Sequence, residues 1–227
     1  ASVNAVYNNK ISILVGDYLL ATCLYQAAFS SNIEIIKVVS QLGQDLSEGE
    51  LLQLSNVSNI EISEPVYFDI IRKKTAALFS ACTKTAALSS GVGAEEVEIA
   101  RLFGEFIGIC FQIKDDIFDY YDDREVGKPT GNDMRECKLT LPAIYAINNS
   151  DNADIKALAV KIKSGSASDS EIKEMIDYVK NNGGIEYATK VMMDYHAQAL
   201  QLIESFPESE IKSSLTSYLD YVVDRTK

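Results

Sequence analysis

Residues 103–142, FGEFIGICFQIKDDIFDYYDDREVGKPTGNDMRECKLTLP, constrain this chain more than any other stretch. A run of apolar residues at helical spacing turns acidic at its C-terminal end. It then gives way to a segment that Gly127, Pro129 and Gly131 keep from continuing as helix. Acidic side chains at that end oppose the helix macrodipole, so something cationic is needed to compensate them. Asp115 and Asp119 are four residues apart and share one helix face, and Gln112 stands almost one turn earlier on the same side. Gly104 and Gly108 lie further up that side, where the lack of side chains predicts a trough. The segment after the helix carries Lys128 and Lys138.

Two carboxylates facing one way, with cations brought opposite by a loop, suit a divalent metal and a polyanion. Hard oxygen ligands favour Mg2+, which keeps several waters and shares its shell with phosphate oxygens. The lysines would neutralise the rest of a diphosphate's charge. A DDxxD string alone is also what a solvated acidic helix end looks like, so the short pattern is weak.

The longer string is specific. FQIKDDIFDYYDD followed by GKPTGNDMRECKLTLP resembles the second aspartate-rich region of the trans-isoprenyl diphosphate synthases, or polyprenyl synthetases. Gly108, Phe111, Gln112, Asp115, Asp116, Asp119, Gly127, Lys128, Gly131, Asp133, Lys138, Thr140, Leu141 and Pro142 fall on that family's pattern. The resemblance implies an all-α fold, a bundle of long helices around a central cavity. It implies Mg2+ at Asp115, Asp116 and Asp119, with Asp115 and Asp119 nearest the ion and Asp116 also in a supporting position. Lys74, Asp115 and Lys128 become the expected catalytic residues. Lys74, Thr75, Gln112, Lys128 and Lys138 become the expected contacts of an allylic diphosphate, which the family condenses with isopentenyl diphosphate. The wording of KTAALF and of the lysine-rich loop resembles medium- or long-chain synthases, such as octaprenyl diphosphate synthase. A homodimer in the cytoplasm is implied too, with transient membrane contact for product release.

Composition narrows the alternatives. The chain has 227 residues, 47% of them hydrophobic, enough for a substantial core, and one domain over 1–227 is the default. The net charge of -12 supplies no basic stripe, so a nucleic-acid partner is not expected. Acidity is compatible with a phosphate substrate when metal ions mediate the contact. Cys23, Cys82, Cys110 and Cys137 show no CxxC spacing and read as reduced, mostly buried thiols. His196, the single histidine, has no metal-binding companion pattern. No signal peptide is visible, and no apolar run reads as long enough to span a bilayer.

Periodicity predicts helices over 3–29, 32–57, 64–89, 94–123, 141–148, 152–163, 169–181, 184–205 and 208–224. The first is apolar on most sides from Ile11 onward, which suits a central or interface helix, and Asp17 on it could approach a cavity. The helix at 94–123 would be about 45 Å long. In the third, Tyr67, Ile71, Lys74 and Leu78 place Lys74 on a largely apolar stripe and leave Lys73 off it. An inward lysine needs an anionic partner, unless it snorkels to solvent. The resemblance identifies Lys74-Thr75 with a family pair that contacts the allylic diphosphate. It also places Gln53, at i+3 from Glu50, in support beside that site. Arg225 reads either as near the site entrance or as an exposed terminal arginine.

The family carries a Gly-x-x-Lys-x-Arg segment and a first DDxxD followed by Arg-Arg-Gly, and none of these occurs in the 227 residues. The expectation is an N-terminally truncated, incomplete synthase domain that is inactive by itself. Two other readings stay open. One is a non-catalytic subunit of a heteromeric prenyl synthase. The other is a terpene cyclase, which uses the same ionisation chemistry but usually mixes Asn, Ser and Glu at its second metal site.

Overall fold

The computed structural model describes residues 2–57, 59, 63–121 and 130–226, and every regular element among them is helical. A short α1, Val3–Val6, precedes α2, Asn9–Phe29, and the long α3, Ile33–Val57. The chain continues through α4, Glu64–Ile71, a π-helical turn at Arg72–Ala76, and α5, Ala77–Ser90. Then come α6, Ala94–Phe118, α7, Asn132–Arg135, and α8, Leu141–Asn148. The last four are α9, Ala153–Lys163, α10, Asp169–Asn181, α11, Gly184–Glu204, and α12, Glu210–Asp224.

The central element is α6. Val97, Phe103, Ile107, Cys110, Ile113 and Ile117 are buried along it, and α5 and α11 flank it. Full burial of each large aliphatic or aromatic side chain is worth roughly 1.5–3 kcal/mol. One apolar cluster joins α6 to α4, α8, α11 and α12, through residues such as Tyr67, Leu141, Met192 and Leu219. A second joins α8, α9 and α10 around Met175 and Ile162, with Tyr120 and Met134. Leu139 and Ile185 pack against both clusters, so the strand of chain returning after α7 lies at their seam.

The termini of the helices follow local chemistry. Asn32 accepts from Glu34 N at 3.0 Å at the start of α3. Ser168 and Glu171 form a reciprocal capping box at the start of α10. Gly91 and Gly183 take positive φ, 71° and 77°, where α5 ends and α11 begins.

Four expectations need correction. The first predicted helix is broken at Tyr7-Asn8, where the Asn8 side chain turns to cap α2 by accepting from Ile11 N. None of α2 is buried, so it is not a central helix, and Asp17 is exposed on it. By length and composition α2 is apolar enough to cross a membrane, which the reading of the sequence missed. Two of the four thiols, Cys23 and Cys82, are exposed, because their helices each leave one face without a packing partner.

Candidate functional site

The π turn at Arg72–Ala76 interrupts what periodicity reads as one continuous helix. A widened turn of this kind shifts the register of everything after it. Tyr67 and Ile71 are therefore buried, while Leu78, which helical spacing puts on the same stripe, is 48% exposed. Two glycines make room for the distortion. A Cβ on Gly49 of α3 would stand 2.8 Å from Lys74 N, and one on Gly108 of α6 would stand 2.5 Å from Ala76 Cα. The Gly104–Gly108 side of α6 is thus no open trough. Ala76 and Phe79 fill it, since the missing side chains let the backbones close together.

Three successive residues of the turn reach neighbouring helices. Lys73 pairs with Glu48 at 2.5 Å. Lys74 pairs with Glu50 at 2.6 Å and donates to Gln53 Oε1 at 3.1 Å. Thr75 donates to Gln112 Oε1 at 2.7 Å. Gln112 in turn donates to Asp116 Oδ1 at 2.8 Å, and the Tyr67 hydroxyl donates to Asp116 Oδ2 at 2.7 Å. Asp116 is only 3% exposed. Burial, reinforced by the charge of Asp133, pushes its carboxyl up to about 8 despite the two hydrogen bonds it accepts. Burial and Asp119 likewise push Asp133 up to about 6.

A cavity of about 140 Å³ opens on this network. Gln53, Lys74, Thr75, Gln112, Asp116 and Lys138 all line it. Lys138 is paired with Glu136. The cavity is walled by apolar side chains at Ile70, Ile71 and Leu139. The sequence thus identifies six residues, from three helices and the loop before α8, that the fold brings to one polar hollow.

Asp115 and Asp119 project elsewhere from α6. Asp115 accepts from the Arg225 guanidinium, which also donates to Phe111 O at 3.0 Å. Arg225 lies over the Phe111 and Phe118 rings, 4.2 and 5.3 Å from their centroids. Its side chain is 11% exposed, so it is no free terminal arginine. Asp119 accepts from Asn132 N at 2.9 Å and Asp133 N at 3.1 Å, pinning the returning chain to the end of α6. Lys128, with Gly127, lies outside the described residues.

Among the described residues, no three His, Cys, Asp or Glu side chains converge as metal ligands would. Asp116 does not fit as a ligand, because it is 3% exposed and held in the core by Tyr67 and Gln112. Asp115 and Asp119 fit better. Each carboxylate oxygen can accept more than one bond, and the Asp115 side chain is 42% exposed. Mg2+ asks the protein for only one or two carboxylates beside substrate phosphates.

The sequence reading missed several participants. Tyr67 carries no cue beyond its position on the apolar stripe with Lys74, and Asp133, though on the family pattern, carries no implied role. Lys163 also lines the cavity, from the C-terminal end of α9, and Glu50 proves to be the ion-pair partner of Lys74.

Known proteins resemble this chain closely. The family model for polyprenyl synthetase matches residues 1–179. An all-trans-nonaprenyl-diphosphate synthase, geranyl-diphosphate specific, from Rhodobacter capsulatus is 33% identical over 99% of the chain and 68% of its own length. The crystal structure of a geranylgeranyl pyrophosphate synthase from Bacteroides thetaiotaomicron is 60% identical, with a TM-score of 0.93 over 98% of this chain and 74% of that one. A polyprenyl synthase from Caulobacter crescentus, complexed with calcium and isoprenyl diphosphate, has a TM-score of 0.91 at 28% identity. It is covered over 69% of its length.

Proposed function

The chain belongs to the polyprenyl synthetase family of prenyltransferases, and on that premise we propose that it elongates an allylic prenyl diphosphate with isopentenyl diphosphate. The observation that carries this reading is the shared cavity of Lys74, Thr75, Gln112 and Lys138. It offers two ammonium groups, a hydroxyl and an amide to one small anion. Apolar walls exclude water and so strengthen each charge contact. Lys128, outside the described residues, is proposed as a further contact.

In this reading Lys74 and Lys138 leave Glu50 and Glu136 and turn to the diphosphate oxygens. Thr75 and Gln112 orient the same group. The allylic carbon–oxygen bond breaks, and the diphosphate departs with the electron pair. The isopentenyl double bond then closes on the allylic carbon, and a proton is lost to the departing anion. Charge developing on the leaving group is what the lysines must stabilise, an electrostatic task in a preorganised site. A divalent ion, proposed as Mg2+ at Asp115 and Asp119, would supply Lewis-acid neutralisation of that same charge. Asp116 acts behind them, holding Gln112 and Tyr67.

The unburied apolar face of α2 supports a further part of the proposal, a homodimer in which a second copy covers that face. The test of function is product analysis with labelled isopentenyl diphosphate and an allylic primer, using the protein as the cell makes it. Lys74→Ala and Asp115→Ala should each lower turnover by orders of magnitude while leaving the fold intact. Elongation at the parent rate in both variants would sink the assignment.

A further inference from the structure

Resting on the reading above, we propose that Lys163 is an additional ligand of the diphosphate bound in the cavity between Lys74 and Lys138. Lys163 is the last residue of α9, far in sequence from the aspartate-rich stretch. The residue lines the same hollow as Lys74 and Lys138 and is 8% exposed. A helix C-terminus favours a cation, which explains a basic residue there but not why it turns inward.

The pairing of the cavity's cations sets Lys163 apart. Glu50 answers Lys74, and Glu136 answers Lys138. Among the described residues the Lys163 ammonium has neither a carboxylate nor a hydrogen-bond partner. The Lys163 stem is buried while its ammonium is not fully enclosed, since no fully buried side-chain nitrogen among the described residues lacks a partner, and it keeps all three donors for something that enters. Burial lowers its pKa, as expected for an ammonium awaiting a counter-charge. The end of α9 packs closely against the cavity wall. A Cβ on Gly165, which has φ of +69°, would sit 3.3 Å from Cys137 Sγ, and Cys137 lies on the cavity wall beside Lys138. Two lysines that must leave their carboxylates, plus one that need not, make a stepwise anion site. The unpaired one attracts the diphosphate at no cost in broken ion pairs.

The experiment is calorimetric titration of the protein with inorganic pyrophosphate and, separately, with geranyl diphosphate, on wild type, Lys163→Met, Lys163→Arg and Lys74→Ala. Removing a charge-assisted hydrogen bond to the ligand should weaken binding about 10- to 100-fold in Lys163→Met. Lys163→Arg should keep most of the affinity. Without ligand, Lys163→Met should melt no lower than wild type, because Lys163 makes no ion pair or hydrogen bond among the described residues whose loss would cost stability. Weakening toward both ligands assigns the interaction to the substrate's diphosphate, and weakening toward pyrophosphate alone assigns it to the departing group. Wild-type affinity in Lys163→Met, with Lys74→Ala weakened, overturns the inference and leaves the function standing. A lower melting temperature in Lys163→Met, with no rescue of binding by Lys163→Arg, also overturns it, by making the residue structural. A wild-type protein that binds neither ligand overturns the function and the inference together.

Discussion

Thr75 donates to Gln112 Oε1 at 2.7 Å, a bond that ties the π turn to the central helix α6. The same amide passes the connection on to Asp116, so a residue facing the cavity is held by one that never leaves the core. The pairing across 37 residues exists only because the wide turn rotates Thr75 toward α6.

Gln112→Leu should therefore cost about 1–3 kcal/mol, since it strips a partner from a buried carboxyl as well as from Thr75. Thr75→Val removes only one hydroxyl and should cost about 0.5–1.5 kcal/mol. Urea denaturation of the two variants checks the order, and equal losses would contradict the chain of bonds.

Glycines on α6 and α2 should respond in opposite directions. In Gly108→Ala the new methyl meets Ala76 Cα, which is backbone and cannot swing aside, so a loss of about 1–3 kcal/mol is expected. Diphosphate binding should fall with it, because the π turn moves. A Cβ on Gly16 meets nothing within 4 Å, so Gly16→Ala should be neutral or stabilise by up to about 1 kcal/mol. Melting temperatures of the pair decide the matter.

Acid should weaken the start of α10. Lys161 and the Ser168 backbone and hydroxyl hold the Glu171 carboxyl down at about 2, below its usual 4.5. A group depressed in the folded state contributes above its unfolded value and loses that contribution as pH falls through the folded one. The stability difference between wild type and Glu171→Gln should be full above about pH 4.5 and shrink toward pH 2. Denaturation midpoints across that range measure it, and a difference that grows on acidification would refute the assignment.

Thiol labelling should separate the four cysteines. Burial pushes the Cys110 thiol up to about 12, and the residue is fully enclosed. Cys23 and Cys82 are exposed. Iodoacetamide at neutral pH should modify those two first and reach Cys110 only in denaturant, read by peptide mass spectrometry. Modification of Cys110 in the native protein would show that the α6–α11 packing opens readily.

Much of the molecule was legible in the chain itself. Helical periodicity located the long elements, and α8 and α10 run over the residues that the pattern predicts. Gln112 and Asp116 near the acidic helix end and the Lys74-Thr75 pair do meet at one cavity, while Asp115 and Asp119 lie outside its lining. The caps at Asn32 and Ser168 are local chemistry, since their partners lie within a few residues.

What tertiary structure alone decided was orientation. A repeat of 3.6 residues cannot announce a π turn, whose room comes from Gly49 and Gly108 on two other helices. DDxxD puts Asp115 and Asp119 on one helix face, but only the fold shows that Tyr67 and Gln112 draw Asp116 inward, that Arg225 holds Asp115, and that the Asn132–Asp133 backbone holds Asp119. Lys163 joins the cavity from a helix with no motif at all. Charge and hydrogen-bond partners determine whether a carboxylate is a ligand or a buried support, and those partners come from residues as far as 110 positions away. Sequence determined which side chains are available for the chemistry; the fold, by burying some and pairing others, decided what each can do.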